Sequence, residues 1–270
     1  MKRADINRKF ILKDSLTSEM VGFFQQYGFI HFKEFIDRDH VSRILASIEK
    51  AETNCLSQGI KKINGTPLKT GKDENGKTII QRFAFTSKYS PELKKLLQDP
   101  RLHELKRLLG PGSRIAEFEK DGVVFNHFVN TDESQYSKLG WHTDGLRDLF
   151  LGFKLEPMLN VGINLDDSTP EKGGLRVLPG THNQSMYGML FRKKYFADNT
   201  ADRNELAIIA QAGDLTVHSG RIWHRVALSP LQGAASRRRV VYFPIISGKF
   251  KPKTENTRTP LYHNFQKFVK

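Results

Sequence analysis

The sequence contains a single cysteine, Cys55, which excludes an intrachain disulfide and any site built from clustered thiolates. No apolar run approaches the length of a membrane span. The first fifteen residues are basic but carry no apolar stretch, so they do not read as a secretory signal. These absences set a soluble, cytoplasmic protein as the expectation. Acidic residues are scarce: 29 Asp and Glu stand against 43 Lys and Arg, a formal net charge of +14. No internal repeat, low-complexity tract, zinc-finger spacing or RNA-binding signature accompanies that charge. The basic residues are dispersed, through Lys61-Lys62, residues 69–77, Lys193-Lys194, Arg237-Arg238-Arg239 and residues 249–253. Nucleic acid is therefore not the expected partner. An anionic small molecule steered towards a cleft would use this charge, and a plain solvated surface would equally account for it.

What is present suits one folded domain over residues 1–270. A hydrophobic content of 38% and aromatic content of 10% can bury one substantial core. Met20, Phe23 and Phe24 recur at helical spacing before Gly28, a stop signal, and residues 29–32 alternate like a short strand. Asp37 or Asp39 can cap a second helix in which Val41, Ile44, Leu45 and Ile48 form a core-facing stripe. Residues 57–77 are broken by Gly59, Gly65, Pro67, Gly71 and Gly76 and filled with lysine. They read as a long loop, either a lid over a site or a surface excursion. Short helices are expected at 91–97 and 101–109, which makes residues 1–113 a mainly helical support. From residue 114 the pattern changes to short Val-, Ile- and Phe-rich runs: 115–119, 122–128, 158–165, 175–178, 215–218, 222–227 and 240–246. Turn residues separate them, as in a β-sandwich or barrel. This β core spans 114–250, and residues 251–270 form a tail.

Chemistry enters at Gly140-Trp141-His142-Thr143-Asp144-Gly145. An imidazole and a carboxylate two positions apart, joined by a distant imidazole at His224, form the ligand set of a facial triad. Such a set suits Fe(II) and leaves coordination positions open. On a strand, residues 142 and 144 would point the same way. With nine histidines in the chain, one His-x-Asp is expected by accident roughly half the time, so the tripeptide acquires weight only from its surroundings.

Those surroundings resemble the phytanoyl-CoA dioxygenase family. Asn160-Val161-Gly162-Ile163-Asn164-Leu165-Asp166-Asp167 is followed by Gly173-Gly174-Leu175-Arg176-Val177-Leu178-Pro179-Gly180-Thr181-His182. The His-x-Asp lies upstream of these blocks. Downstream, Gly213-Asp214-Leu215 opens a segment ending in Trp223-His224, and Tyr27-Gly28-Phe29-Ile30 is similar to the family's N-terminal entry. The likeness spans almost the whole chain. It implies a mainly β fold with flanking helices: a double-stranded β-helix (jelly-roll, cupin-like) core behind a helical N-terminal third.

It also implies an Fe(II)- and 2-oxoglutarate-dependent dioxygenase, in which oxidation of a small-molecule substrate by molecular oxygen accompanies release of succinate and CO2. His142, Asp144 and His224 would bind the metal, with His218 as the rival for the distal position. Halogenating relatives replace the carboxylate with a small residue, so Asp144 favours hydroxylation of an unidentified small molecule, for which the net positive charge suggests an anion. Arg238 would hold the far carboxylate of 2-oxoglutarate through a planar fork, with Arg237 and Arg239 as contiguous alternatives. Asn126 and Asn160 are further candidates for cosubstrate contact. Val226 stands where the family often has a small hydroxyl residue. His182 reads as a turn hydrogen-bonder and His127 as a strand residue facing either way. Trp141, Arg147 and Asp148 flank the metal turn as candidates for the mouth of the site. A different class of reading is a catalytically idle β-helix module that binds a small ligand or nucleic acid through its basic surface.

Overall fold

The computed structural model describes residues 6–150 and 155–259. Helices α1 (Ser18–Tyr27) and α2 (Arg38–Ser57) flank the strand β1 (Phe29–Phe32). Short strands β2 (Lys62–Ile63), β3 (Thr66–Pro67), β4 (Lys69–Lys72) and β5 (Thr78–Phe83) lead to helices α3 (Pro91–Leu96) and α4 (Pro100–Glu104). Then come β6 (Arg114–Ile115), β7 (Val124–Asn130), β8 (Leu139–His142), α5 (Asp144–Phe150), β9 (Met158–Asn164) and β10 (Gly174–Val177). Helix α6 (Met186–Phe191) and strands β11 (Leu206–Ala207), β12 (Leu215–Ser219), β13 (His224–Ala227) and β14 (Gly233–Ile246) complete the order.

Every ladder between these strands is antiparallel. The large sheet runs β1-β12-β9-β14-β7-β5-β4 with β6 added to β14, and the small sheet runs β11-β10-β13-β8. Leu175 and Val177 of the small sheet share one buried cluster with Val161, Ile163, Val217, Val241 and Phe243 of the large one. Two antiparallel sheets enclosing a common core make this a jelly roll. Strand β14 shows why the sequence folds this way: Ser236, Arg238 and Val240 are buried while Arg237 and Arg239 between them are half-exposed, the period-two alternation of a strand with one face inward.

The N-terminal third is a correction to the sequence reading. Its helices are there: Thr17 caps α1 in a reciprocal capping box, Gly28 ends it at φ 76°, and the Asp37 side chain accepts the His40 N–H at the start of α2. Yet the same third also supplies β1 to one edge of the large sheet and β4 and β5 to the other. Residues 57–77 are likewise no continuous loop. Asn64 and Gly65, both at positive φ, turn β2 into β3 as a two-residue hairpin. Asp73 accepts the N–H groups of Asn75 and Lys77 and turns β4 into β5. Of the expected strands, 115–119 contracts to β6 and 240–246 lengthens to β14. Among the described residues no helix is long and apolar enough to cross a membrane.

Asp214 ties the N-terminal third to the core. Its carboxylate accepts from His31 Nε2 at 2.8 Å and from the backbone N–H groups of Glu34 and Gln211 at 3.0 Å. Gly213, at φ 96°, sits where a Cβ would collide with the Ile36 carbonyl. Burial pushes the Asp214 carboxyl up, but the bonds from His31 and the two backbone groups outweigh it and bring the pKa down to about 2. A depressed folded-state pKa contributes stability that is complete above about pH 4 and is lost as pH falls towards 2. Asp214→Asn is therefore expected to cost roughly 2–3 kcal/mol at neutral pH and to flatten the acid limb between those values. Urea unfolding at a series of pH values measures both. An unchanged acid limb would show that the stabilisation lies elsewhere.

Candidate metal centre

His142 ends β8 and His224 begins β13, and the two are direct register partners, with ring centroids 4.0 Å apart. Each ring is fixed in the same way. His142 Nδ1 donates to Gly140 O at 2.7 Å and His224 Nδ1 to Ile222 O at 3.1 Å. Both bonds run to the carbonyl two residues back and select the tautomer that leaves Nε2 as the available donor atom. Asp144 is not on the strand: it opens α5, so the expectation that residues 142 and 144 share a strand face is corrected. Thr143 makes the turn. Its Oγ1 accepts the Leu146 N–H at 3.4 Å and its carbonyl accepts the Tyr195 hydroxyl at 3.0 Å.

One ligand atom each from His142, Asp144 and His224 lie within 4.8 Å of one another. The donor set is two oriented imidazoles and a carboxylate, which fits a first-row divalent metal with open positions. Asn160 Nδ2 donates to Asp144 Oδ2 at 3.1 Å. Asn160 therefore contacts the carboxylate directly, in addition to lining the cavity. His218, opposite Asn160 in the β9–β12 register, lies with Nε2 3.7 Å from the same oxygen, and neither of its ring nitrogens has a hydrogen-bond partner. Burial pushes the Asp144 carboxyl up, but the imidazoles of His218, His224 and His142 prevail and hold it well below the usual carboxylate range. Burial, with His142 and His218 alongside, keeps His224 neutral far below the usual imidazole range. Asp144 and His224 are thus in the protonation states that metal binding needs.

These groups face a cavity of about 130 Å³ between the two sheets. Asn126 lines it, buried, with Oδ1 unpartnered. Arg238 lies on the inward face of β14, its guanidinium 4.7 Å over the Phe128 ring and its Nε donating to Lys172 O at 2.9 Å. It stands behind the cavity-lining ring of Phe128, and it has no carboxylate partner among the described residues. Burial lowers its pKa to about 10. Arg237 and Arg239 point the other way, onto Glu74 and, at 2.7 and 2.8 Å, onto Asp166. His127 shares that outer face, where burial and then Arg239 and Arg237 push it down to about 4.

Other candidates fall outside the cavity. Trp141 is fully buried and donates Nε1–H to Thr200 O at 2.9 Å, so it is a packing pillar and not part of a mouth. Asp148 is buried against Lys120, and the Arg147 side chain lies outside the described residues. His182 donates to Gln25 O at 3.1 Å and lies against Gly28, where a Cβ would strike its ring. The sequence reading missed Lys69, Arg82, Lys120, Tyr136 and Phe196 in the cavity wall. No local spacing marks them.

Phe196 stacks on the His142 ring at 4.7 Å and 25° from a left-handed backbone, φ 58°. Its N–H donates to Trp141 O at 2.8 Å, bringing the chain so close to β8 that a Cβ on Gly140 would collide with the Phe196 carbonyl. Gly140→Ala is expected to cost about 1–3 kcal/mol and to loosen residues 195–198, seen as a lower melting temperature and faster proteolysis there. An unaltered melting temperature would mean that the two backbones separate without loss.

Comparison with known proteins places these observations. The family model described as phytanoyl-CoA dioxygenase matches residues 24–227. No curated protein matches the chain. The non-haem α-ketoglutarate-dependent carbocyclase SnoK from nogalamycin biosynthesis is similar in structure, with a TM-score of 0.63 and 18% identity over 94% of this chain and 91% of that one. The α-ketoglutarate-dependent epimerase SnoN, from the same biosynthesis, gives 0.61 and 16% over 88% and 85%. HygX from Streptomyces hygroscopicus, solved with nickel and 2-oxoglutarate bound, gives 0.62 and 18% over 89% and 90%. At these identities the likeness is one of fold.

Proposed function

The chain belongs to the phytanoyl-CoA dioxygenase family, and from that premise we propose that it is an Fe(II)- and 2-oxoglutarate-dependent dioxygenase that hydroxylates a small anionic molecule. One observation carries the reading. Two imidazoles with tied Nδ1 atoms and one ionised carboxylate converge on a buried cavity, and behind its wall lies an arginine with no carboxylate partner among the described residues.

His142, Asp144 and His224 would hold the metal. When bound, Fe(II) with 2-oxoglutarate supplies oxidation by molecular oxygen, coupled to release of succinate and CO2. The chain's own residues bind, orient and exclude water. Asn160 fixes the Asp144 oxygen that it hydrogen-bonds. Arg238 takes the far carboxylate of 2-oxoglutarate, replacing the water that a buried guanidinium has lost. The Asn126 side chain lines the same cavity, and its Nδ2 group, the donor end of the amide, would donate a hydrogen bond to an oxygen of the cosubstrate. Phe128, Leu139, Leu175 and Val226 line the cavity with apolar surface and keep solvent from a reactive centre. Retention of Asp144 favours hydroxylation, because its carboxylate occupies the position that a halide would need.

Anaerobic addition of Fe(II) and 2-oxoglutarate is expected to give a weak visible charge-transfer band that His142→Ala or Asp144→Ala abolishes. Absence of the band in the unaltered protein would favour the idle binding module instead. Arg238→Met, titrated by the same band, should weaken 2-oxoglutarate binding by about 10–100-fold, the loss of a charge-assisted bidentate contact worth roughly 1.5–3 kcal/mol. Undiminished affinity would assign the far carboxylate to another cation.

A further inference from the structure

The cavity carries more positive charge than the cosubstrate needs. Arg82 lines it but pairs with Asp121 at 2.8 Å, and Lys120 lines it but is buried against Asp148. Lys69 is different. Its half-buried ammonium lines the cavity, and among the described residues it has no carboxylate partner. It lies against an aromatic ring: Nζ is 5.1 Å from the Tyr136 ring centroid. Tyr136 stacks on Phe128 at 4.9 Å and 20°, and the Arg238 guanidinium lies 4.7 Å from the Phe128 ring centroid. Each ring of the stacked pair thus carries one cation that has no carboxylate partner among the described residues.

The strand that carries Lys69 is shaped to put it there. The β4–β5 ladder pairs Lys69 with Arg82 and then shifts register before Thr70, the kind of irregularity that re-aims a side chain. The result sets two like charges directly opposite each other across the ladder, an arrangement that costs stability. Burial, with Arg82 beside it, pushes the Lys69 ammonium down to about 8. A cation held desolvated against another cation, with a ligand cavity before it, is missing an anion.

We infer that Lys69 anchors an anionic group of the substrate, a carboxylate or a phosphate, beside the Tyr136 ring of the Tyr136–Phe128 stack, whose other ring lies against the arginine that serves the cosubstrate. This rests on the oxygenase reading for the identity of the second anion, and it deepens that reading by naming the substrate class. Lysine is a point charge without a fixed fork, so it accepts either oxyanion. Phe128, Tyr136, Val226 and Leu139 pack together and line the same cavity as the metal ligands, so the body of the substrate beyond its charge is apolar.

Benzoate, phenyl phosphate and uncharged benzamide are suitable probes, titrated calorimetrically into protein loaded anaerobically with Fe(II) and 2-oxoglutarate. At least one anion should bind about tenfold or more tightly than benzamide, and which anion it is separates carboxylate from phosphate. Lys69→Met should remove that preference, Lys69→Arg should keep it, and neither should alter 2-oxoglutarate affinity. Because Met removes a desolvated charge of like volume, Lys69→Met should also melt no lower than the unaltered protein, which separates lost binding from lost folding. Equal binding of benzamide, no binding of either anion, or an anion preference that survives Lys69→Met would overturn the inference. Loss of 2-oxoglutarate affinity in Lys69→Met would overturn it too, by giving Lys69 to the cosubstrate. If Fe(II) and 2-oxoglutarate fail to bind at all, the oxygenase reading falls, and the same titration on metal-free protein decides the anion site by itself.

Discussion

The antiparallel register that sets His142 against His224 is the constraint from which the rest of the site follows. Directly opposed residues of such a pair hold their Cβ atoms about 4.5–5.5 Å apart, so both imidazoles can address one small volume without any loop having to carry them. The small sheet supplies this pair, and the large sheet supplies His218 and Asn160, themselves register partners. Two cross-strand pairs thus face each other across the interior, with Asp144 between them. A slip of one residue in either ladder would turn the slipped strand's member of the pair outward and break the pair. For that reason the packing around the ladders belongs to the chemistry as much as the ligands do.

Charge in the cavity is arranged in two zones. Around Asp144, one carboxylate sits among three buried imidazoles: the imidazoles keep the acid ionised against its burial, while burial and the neighbouring imidazoles keep His224 neutral against the pull of Asp144. Around the Tyr136–Phe128 stack cations gather instead: the Arg82 and Arg238 guanidinium groups and the Lys69 ammonium, of which Arg82 is paired with Asp121. Buried charges without partners are costly in a folded protein. A fold that keeps a cation-binding zone beside an anion-binding zone has the field of a site where a metal and anionic ligands meet.

Much of this was legible in the sequence where the signal is local. The caps at Asp37 and Gly28, the apolar stripe of α2 and the inward periodicity of β14 are written in neighbouring residues. The three metal candidates and Arg238 were legible only through ordered blocks far apart in the chain. The structure separates Arg238 from Arg237 and Arg239 by the strand alternation that the sequence could state but not register. The edge strands β4 and β5 were not legible, because β4 reads Lys-Thr-Gly-Lys and owes its existence to hydrogen bonds with a partner, not to its own propensity. Lys69, Tyr136 and Phe196 were missed for a related reason: each reaches the cavity through long-range pairing or stacking that leaves no periodic trace. The Asn64-Gly65 pair is the exception, since that dipeptide is a hairpin signal that a closer reading of residues 57–77 could have used.

The spacing of His142 and Asp144 shows how a correct pattern can rest on the wrong geometry. Along a strand, residues two apart lie about 6.5–7 Å from each other, and their side chains run parallel instead of converging. Here the strand stops at His142, and the backbone turns at Thr143 into α5, which swings the Asp144 carboxylate towards the two rings. The middle residue of the motif is therefore occupied. Thr143 is fully buried, its hydroxyl holds the start of the helix through Leu146 N–H and its carbonyl is held by Tyr195. Tyr195 in turn precedes Phe196, which lies on the His142 ring. One short segment thus braces the turn that brings the carboxylate in and the ring that the carboxylate must meet, so displacement of residues 195–196 would be felt at two ligands together.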